Sequence, residues 1–250
     1  MIEPTGQTGQ PKKYKILLSN IGYLTDIHGS HAHYVSKFHR YLWTKESIQK
    51  KVVNRFKGVI KRENPDLVCF IEIKHDKQII KFIDEEYSEH VAHSKYSETN
   101  FISKLFNFSD KGNGFLSKKA VPYKKHYLAN GTKRLIYHLR LPGDVNLIIG
   151  HFALVQNTRR KQFKELHAQF GHLPRKIICG DFNTFKGDVE IKDLKKDAQL
   201  LSSHQEFTFP SHDPSKTLDL VLHSEDLDVQ TSVLKDKVSD HLPVVFEYTV

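Results

Sequence analysis

Four apolar runs in this chain end on a polar side chain able to do chemistry, and a fifth run is preceded by two. Tyr14-Lys15-Ile16-Leu17-Leu18-Ser19 ends on Asn20, and Leu67-Val68-Cys69-Phe70-Ile71 ends on Glu72. Asn146-Leu147-Ile148-Ile149-Gly150 ends on His151, and Lys176-Ile177-Ile178 leads into Cys179-Gly180-Asp181-Phe182-Asn183. Near the C-terminus, Ser239-Asp240-His241-Leu242-Pro243-Val244 sets an acid and an imidazole just before Val245-Phe246. Polar groups repeatedly placed where buried strands stop describe an active site along one edge of a sheet. A carboxylate after five apolar residues is costly in a core, so Glu72 is paired, bound to a cation, or at the rim. Glu72 and Asp240 are hard oxygen donors, and no Cys/His set has zinc spacing, so the expected cation is Mg2+, with Mn2+ as the alternative. Each residue alone has a plainer reading: Asn20 capping a turn, Asp219 as a strand-end surface acid, His151 as a satisfied structural residue.

The elements that must position these groups follow from periodicity. Strands are expected at 14–20, 67–73, 112–117, 126–129, 134–141, 146–153, 176–181 and near 217–222, 228–234 and 243–249. Helical spacing of Phe38, Leu42, Ile48, Val52, Phe56, Val59 and Ile60 predicts a helix over 34–63, stopped by Asn64-Pro65-Asp66. Further helices are expected near 76–86 and at 158–170, a loop at 95–111, and turns at Asn130-Gly131 and Pro142-Gly143-Asp144. Strands outnumber helices and include hairpins, which predicts mixed sheets rather than a parallel βα repeat.

The chain has 250 residues and a formal charge of +9, a balance that favours anionic partners or simply a well-solvated lysine-rich surface. Its two cysteines, Cys69 and Cys179, lie in apolar runs and are expected to be buried reduced thiols. No stretch has the apolar length needed to span a bilayer. Residues 1–13 are polar, lack an apolar signal core and are expected to form a disordered tail before a single domain over 14–250. A cytoplasmic monomer is the expectation, an exported effector the alternative.

Ser-Asn-Ile at 19–21, Phe-Ile-Glu-Ile at 70–73, Gly-His-Phe at 150–152, Gly-Asp-Phe-Asn at 180–183, Leu-Asp-Leu-Val-Leu at 218–222 and Ser-Asp-His-Leu-Pro-Val at 239–244 together resemble the endonuclease/exonuclease/phosphatase superfamily, whose members include deoxyribonuclease I. Any one of these motifs is weak; six in order across the chain are specific. The resemblance implies a four-layer α/β sandwich, two packed mixed β-sheets flanked by helices, and a Mg2+-dependent phosphoesterase. By the same resemblance Glu72 is the main metal ligand, with Asn20 and Asp240 beside it. His241 stands by the scissile phosphate, oriented by Asp219; a carboxylate on one imidazole nitrogen fixes the tautomer and raises the basicity of the other. Asp181 aims or deprotonates the attacking water, and Asn183 and His151 bind phosphoryl oxygens.

The chain also departs from its relatives. No Asp-Arg pair precedes Leu218-Asp219, which disfavours an inositol 5-phosphatase, and the loop at 21–33 carries His28, His31 and His33, expected to line the cleft or face solvent rather than bind a transition metal. A nuclease is the leading expectation, with Lys118, Lys119, Lys124, Lys125, Arg159, Arg160 and Lys161 as backbone contacts. One alternative is a sphingomyelinase-like lipid or small-molecule phosphodiesterase, using Phe101, Ile102, Leu105, Phe106 and Phe108 as an apolar lip. The other is a catalytically inactive binding module, which the full acid, amide and imidazole set disfavours.

Overall fold

The computed structural model describes residues 12–30, 36–41, 43–74, 77–95, 110–203 and 205–250. The expected tail, His31, His33 and the aromatic run at 101–108 fall wholly or almost wholly outside them. Among the described residues, twelve strands form two six-stranded sheets. In the first, β1 (Lys13–Asn20) pairs in parallel with β2 (Leu67–Lys74) and antiparallel with β12 (Val244–Thr249), which carries β11 (Val229–Val233). On the other side β2 pairs with β4 (Lys111–Ser117) and β4 with β3 (Glu89–Ser94). The second sheet has the same plan: β7 (Val145–His151) runs parallel to β8 (Lys176–Asp181), with β6 (Leu135–Leu141) and β5 (Tyr123–Tyr127) on one side and β10 (Asp219–Ser224) and β9 (Leu200–Ser202) on the other.

Strand alternation sorts the core into three apolar layers. Ile16, Leu18, Leu67, Cys69, Ile71, Leu147, Ile149, Ile177, Cys179 and Val244 fill the space between the sheets. Leu17, Val68 and Phe70 face outward and are covered by Val52, Val53, Phe56, Val59 and Ile60 of α1 (Glu46–Glu63). Ile148, Ile178 and Leu222 pack under Phe163, Leu166 and Phe170 of α2 (Gln156–Phe170) and Leu194 of α3 (Lys192–Asp197). The result is the expected four-layer sandwich. Both cysteines are free and buried in the middle layer, where burial, and then the neighbouring Cys179 thiol, push the Cys69 thiol up.

Several elements differ from the sequence reading. The helix expected over 34–63 starts at Glu46: Phe38–Tyr41 is a 3-10 turn, the Thr44 hydroxyl bonds back to the Arg40 carbonyl at 2.6 Å, and Lys45 is extended. Its end is as expected, with Asn64 in the left-handed region capping Ile60. The helix expected near 76–86 is only a 3-10 turn at Ile79–Phe82, because the Asp84 carboxylate takes the amides of Glu86 and Tyr87 into a turn of its own. The strand expected at 126–129 is β5 at Tyr123–Tyr127, and β3, β9 and α3 were not foreseen.

Candidate active site

Register brings the sequence-predicted residues to one edge of the sandwich. Asn20, the last residue of β1, lies opposite Ile71 in the parallel pair, so Glu72 follows directly beside it. His151 ends β7 opposite Asp181, which ends β8, and Asp219 opens β10 opposite the same Asp181. Asp240 and His241 precede β12, whose Val244 pairs with Leu18 near the end of β1. Every one of these positions lies at or within a few residues of a strand end on the same edge.

Local backbone geometry turns the side chains inward. The β2–β4 register shifts between Phe70 and Ile73, and Glu72 sits in this irregularity at φ 59°. The shift moves Ile73 from the middle layer to the outer one and re-aims Glu72, a recognised use of bulges beside active sites. Gly180, at φ +142°, lets β8 approach β7 so closely that a Cβ there would lie 1.8 Å from the Gly150 carbonyl oxygen. Asn183 takes φ 52°, its amide bonded to Asp181 Oδ1 at 3.0 Å and its side-chain nitrogen to the Phe152 carbonyl at 2.9 Å.

Three polar contacts then cross from one sheet to the other. Asn20 Nδ2 donates to Asp181 Oδ2 at 3.1 Å, while its Oδ1 accepts from the Gly22 amide. His151 Nε2 stands 3.9 Å from Glu72 Oε1 and 3.3 Å from Asp181 Oδ2. His241 Nδ1 meets Asp219 Oδ2 at 2.7 Å, and Asp219 Oδ1 is buried without a hydrogen-bond partner. The Ser239 hydroxyl bonds the Asn20 carbonyl and accepts from the His241 amide, fixing the segment before β12 against β1. Asp240 is buried, close enough to Gly22 that a Cβ there would lie 3.3 Å from its Oδ1.

The charges are strongly coupled. Burial alone would push the His241 imidazole down, but Asp219, Asp181 and Asp240 outweigh it and raise it to about 10. Burial likewise would raise Asp181, yet His151, His241 and Lys133 hold it well below the usual carboxylate range. Glu72, against its own burial, is lowered by Lys95, His151 and Lys133. His151 is pushed down to about 4, by burial first and then by Lys133. Its Nε2 touches both the Lys133 ammonium and Asp181, and its Nδ1 is buried without a hydrogen-bond partner.

Two site residues escaped the sequence reading. Lys133 follows the Asn130-Gly131 turn and reaches His151. Lys95, directly after β3, is buried; it hydrogen-bonds the Tyr23 hydroxyl and is lowered to about 7 by burial and then by Lys133 and Lys111, against the pull of Glu72. Neither ends an apolar run, so the signal that found the others was absent. One expectation is corrected. Arg159 is not a rim residue for a phosphate backbone: it is buried, pairs with Glu190 and donates to the carbonyls of Ala153 and Leu154.

A model of the Endonuclease/Exonuclease/phosphatase family matches residues 50–241, and the chain belongs to that family. Its members are phosphoester hydrolases, generally metal-dependent. An endonuclease/exonuclease/phosphatase from Bacteroides vulgatus superimposes with a TM-score of 0.68 at 13% identity, covering 96% of this chain and 99% of that one. The human nocturnin catalytic domain with bound sulfate anion gives 0.66 at 15% identity over 97% and 94% of the two chains. TDP2 from Caenorhabditis elegans gives 0.65 at 13% identity over 96% and 75%. These likenesses show the shared fold. No curated protein matches the chain in sequence.

Proposed function

We propose that residues 14–250 form one phosphodiesterase domain that hydrolyses phosphodiester bonds with the help of a hard divalent cation, nucleic acid being the leading substrate. The observation that carries this reading is the buried His241–Asp219 pair set beside Asp181 at the edge where both sheets end. The donors fit a hard cation. Among the described residues no three His, Cys, Asp or Glu side chains converge into a ligand cage. The residues that would hold it are the Glu72 carboxylate with Asn20 and Asp240, a set that suits Mg2+, which characteristically takes one or two carboxylates and keeps its waters. When bound, the ion supplies Lewis acidity toward phosphoryl oxygens.

The remaining steps belong to the chain. At neutral pH His241 is an imidazolium, so it offsets negative charge on the phosphoryl group and can donate a proton to the leaving oxygen. Asp181 stays ionised and is a weak base; its part is to hold and orient the attacking water. Asn183 spends one amide N–H on Phe152 and keeps the other for a phosphoryl oxygen. Lys133, beside His151, adds a positive contact for the phosphate. The formal charge of +9 favours a polyanion, and human nocturnin's catalytic domain, of the same fold, was solved with a bound sulfate. Among the described residues no helix is long and apolar enough to cross a membrane.

Turnover of methyl p-nitrophenyl phosphate should appear with Mg2+ or Mn2+ and vanish in chelator. His241→Ala and Asp181→Ala should each lower it by about two to four orders of magnitude while the melting curve stays cooperative. Full turnover in excess chelator, or a wild-type rate in folded His241→Ala, would defeat the assignment.

A further inference from the structure

Beside the candidate site, a groove of about 430 Å3 runs between the loop after β8 and the loop before β10. Thr184, Phe185 and Lys186 form one wall, and Phe207, Lys216 and Thr217 the other. The walls are joined to each other and to the site. Thr184 Oγ1 donates to the Thr217 carbonyl at 3.4 Å, and the Phe182 amide to the Leu218 carbonyl at 2.8 Å. Thr184 follows Asn183 directly, and Thr217 lies two residues before Asp219. A line of rings leads from groove to chemistry: Phe185 meets Phe209 edge-on at 6.2 Å, and Phe209 meets His241 at 4.9 Å.

Phe185 is 39% exposed and Phe207 54%, although each could have been a polar loop residue at no cost to the core. The groove's carboxylate, Asp188, is paired with Lys195 at 3.3 Å. Beside Gln205, Ser215 and Leu220, the side chains that remain to meet a ligand are two aromatic rings and two ammonium groups. The Lys186 ammonium donates to Gln156 Oε1 at 3.1 Å. Aromatic rings interleaved with lysines along a groove are the chemistry of single-stranded nucleic acid: any base presents a π-face to a ring, and the backbone between bases presents a phosphate to a cation. A lipid surface would ask for apolar groups on a convex tip, whereas these rings line a concavity.

We infer that this groove is a subsite for single-stranded nucleic acid, where a base flanking the scissile phosphate stacks on Phe185 and Phe207 and the adjoining phosphate lies on Lys186 and Lys216. The inference rests on the phosphodiesterase reading for its position, but its test does not need turnover. Fluorescence polarisation of a labelled oligothymidylate, in chelator so that nothing is cleaved, should show binding to the whole chain that weakens about ten-fold in Phe185→Ala and in Phe207→Ala. Phe207→Trp should restore it, which separates stacking from loop damage. Lys216→Ala should make the slope of log affinity against log salt shallower by about 0.7. Turnover of methyl p-nitrophenyl phosphate by the wild type is a separate measurement, and its absence would count against the phosphodiesterase reading alone. Equal binding by wild type and both alanine variants would overturn the groove. So would equal affinity for a blunt duplex and the single strand, or loss of binding to phosphatidylcholine vesicles in Phe207→Ala with oligothymidylate unaffected.

Discussion

Asp219→Asn isolates the charge that sets the state of His241. The ring nitrogen Nδ1 lies 2.7 Å from Asp219 Oδ2, and a unit charge pair at about that distance is worth about 6 kcal/mol at an effective dielectric of about 20. The rise of His241 from its ordinary 6.5 to about 10 corresponds to about 5 kcal/mol at about 1.4 kcal/mol for each pH unit. Burial opposes that rise, while Asp181 and Asp240 assist it, so Asp219 has the size to carry most of it. Asparagine keeps the shape and can still accept the Nδ1–H through its Oδ1, but it removes the charge. The His241 titration should therefore fall by about two to three pH units, toward neutrality. Ring NMR in chelator reads that fall directly. The pH profile of methyl p-nitrophenyl phosphate turnover reads its consequence: activity that needs the imidazolium should persist toward pH 10 in the wild type and decline from near neutral pH in the variant. The stability linkage has a definite sign. A value raised on folding contributes stability that is complete below 6.5 and lost as pH rises through about 10, so the variant's deficit in urea unfolding should be largest near neutral pH and shrink toward pH 10. A ring that still titrates near 10 in Asp219→Asn would refute the electrostatic account. A ring that shifts while the rate profile stays put would remove His241 from the proton transfer.

Other expectations follow from burial and sterics. Arg159→Ala strands Glu190 in the interior and should cost about 3–5 kcal/mol in urea unfolding, whereas Arg160→Ala, at an exposed position, should change stability by less than about 0.5 kcal/mol. Gly180→Ala places a Cβ against the Gly150 carbonyl and should leave little soluble folded protein; a normal melting curve would contradict the close β7–β8 approach. His151, lowered to about 4 on folding, contributes stability present above 6.5 and lost as pH falls through about 4. The drop in melting temperature between pH 6 and pH 4 should accordingly be shallower in His151→Gln.

The sandwich and its edge were legible because each strand that carries a site residue is an unbroken apolar run, the pattern of a strand buried on both faces. That pattern marked β1, β2, β7 and β8, and their last residues are Asn20, Lys74 just beyond Glu72, His151 and Asp181. β3 escaped because its residues are all exposed or half-buried on the edge of its sheet, which leaves no apolar signature. Lys95 and Lys133 escaped for a related reason: a lysine after a polar strand or turn reads as a solvated surface charge, and only the pairing of β3 with β4 and the β5–β6 hairpin carry them inward. Arg159 failed in the opposite sense. Its neighbours Arg160 and Lys161 made it look like part of a basic face, whereas the helical phase of α2 turns it toward Glu190.

The two scales of charge in this chain point in opposite directions. The whole sequence carries +9, yet four carboxylates, Glu72, Asp181, Asp219 and Asp240, are spread along the site edge. Against them stand the His241 imidazolium, the Lys133 ammonium and a Lys95 whose burial brings it to about 7, charged only in part near neutral pH. The balance leaves the site negative, while a phosphodiester brings a negative charge of its own. In a partly desolvated cleft that repulsion is expensive. On the proposed function, one divalent cation at Glu72 would lower that repulsion before the phosphate enters.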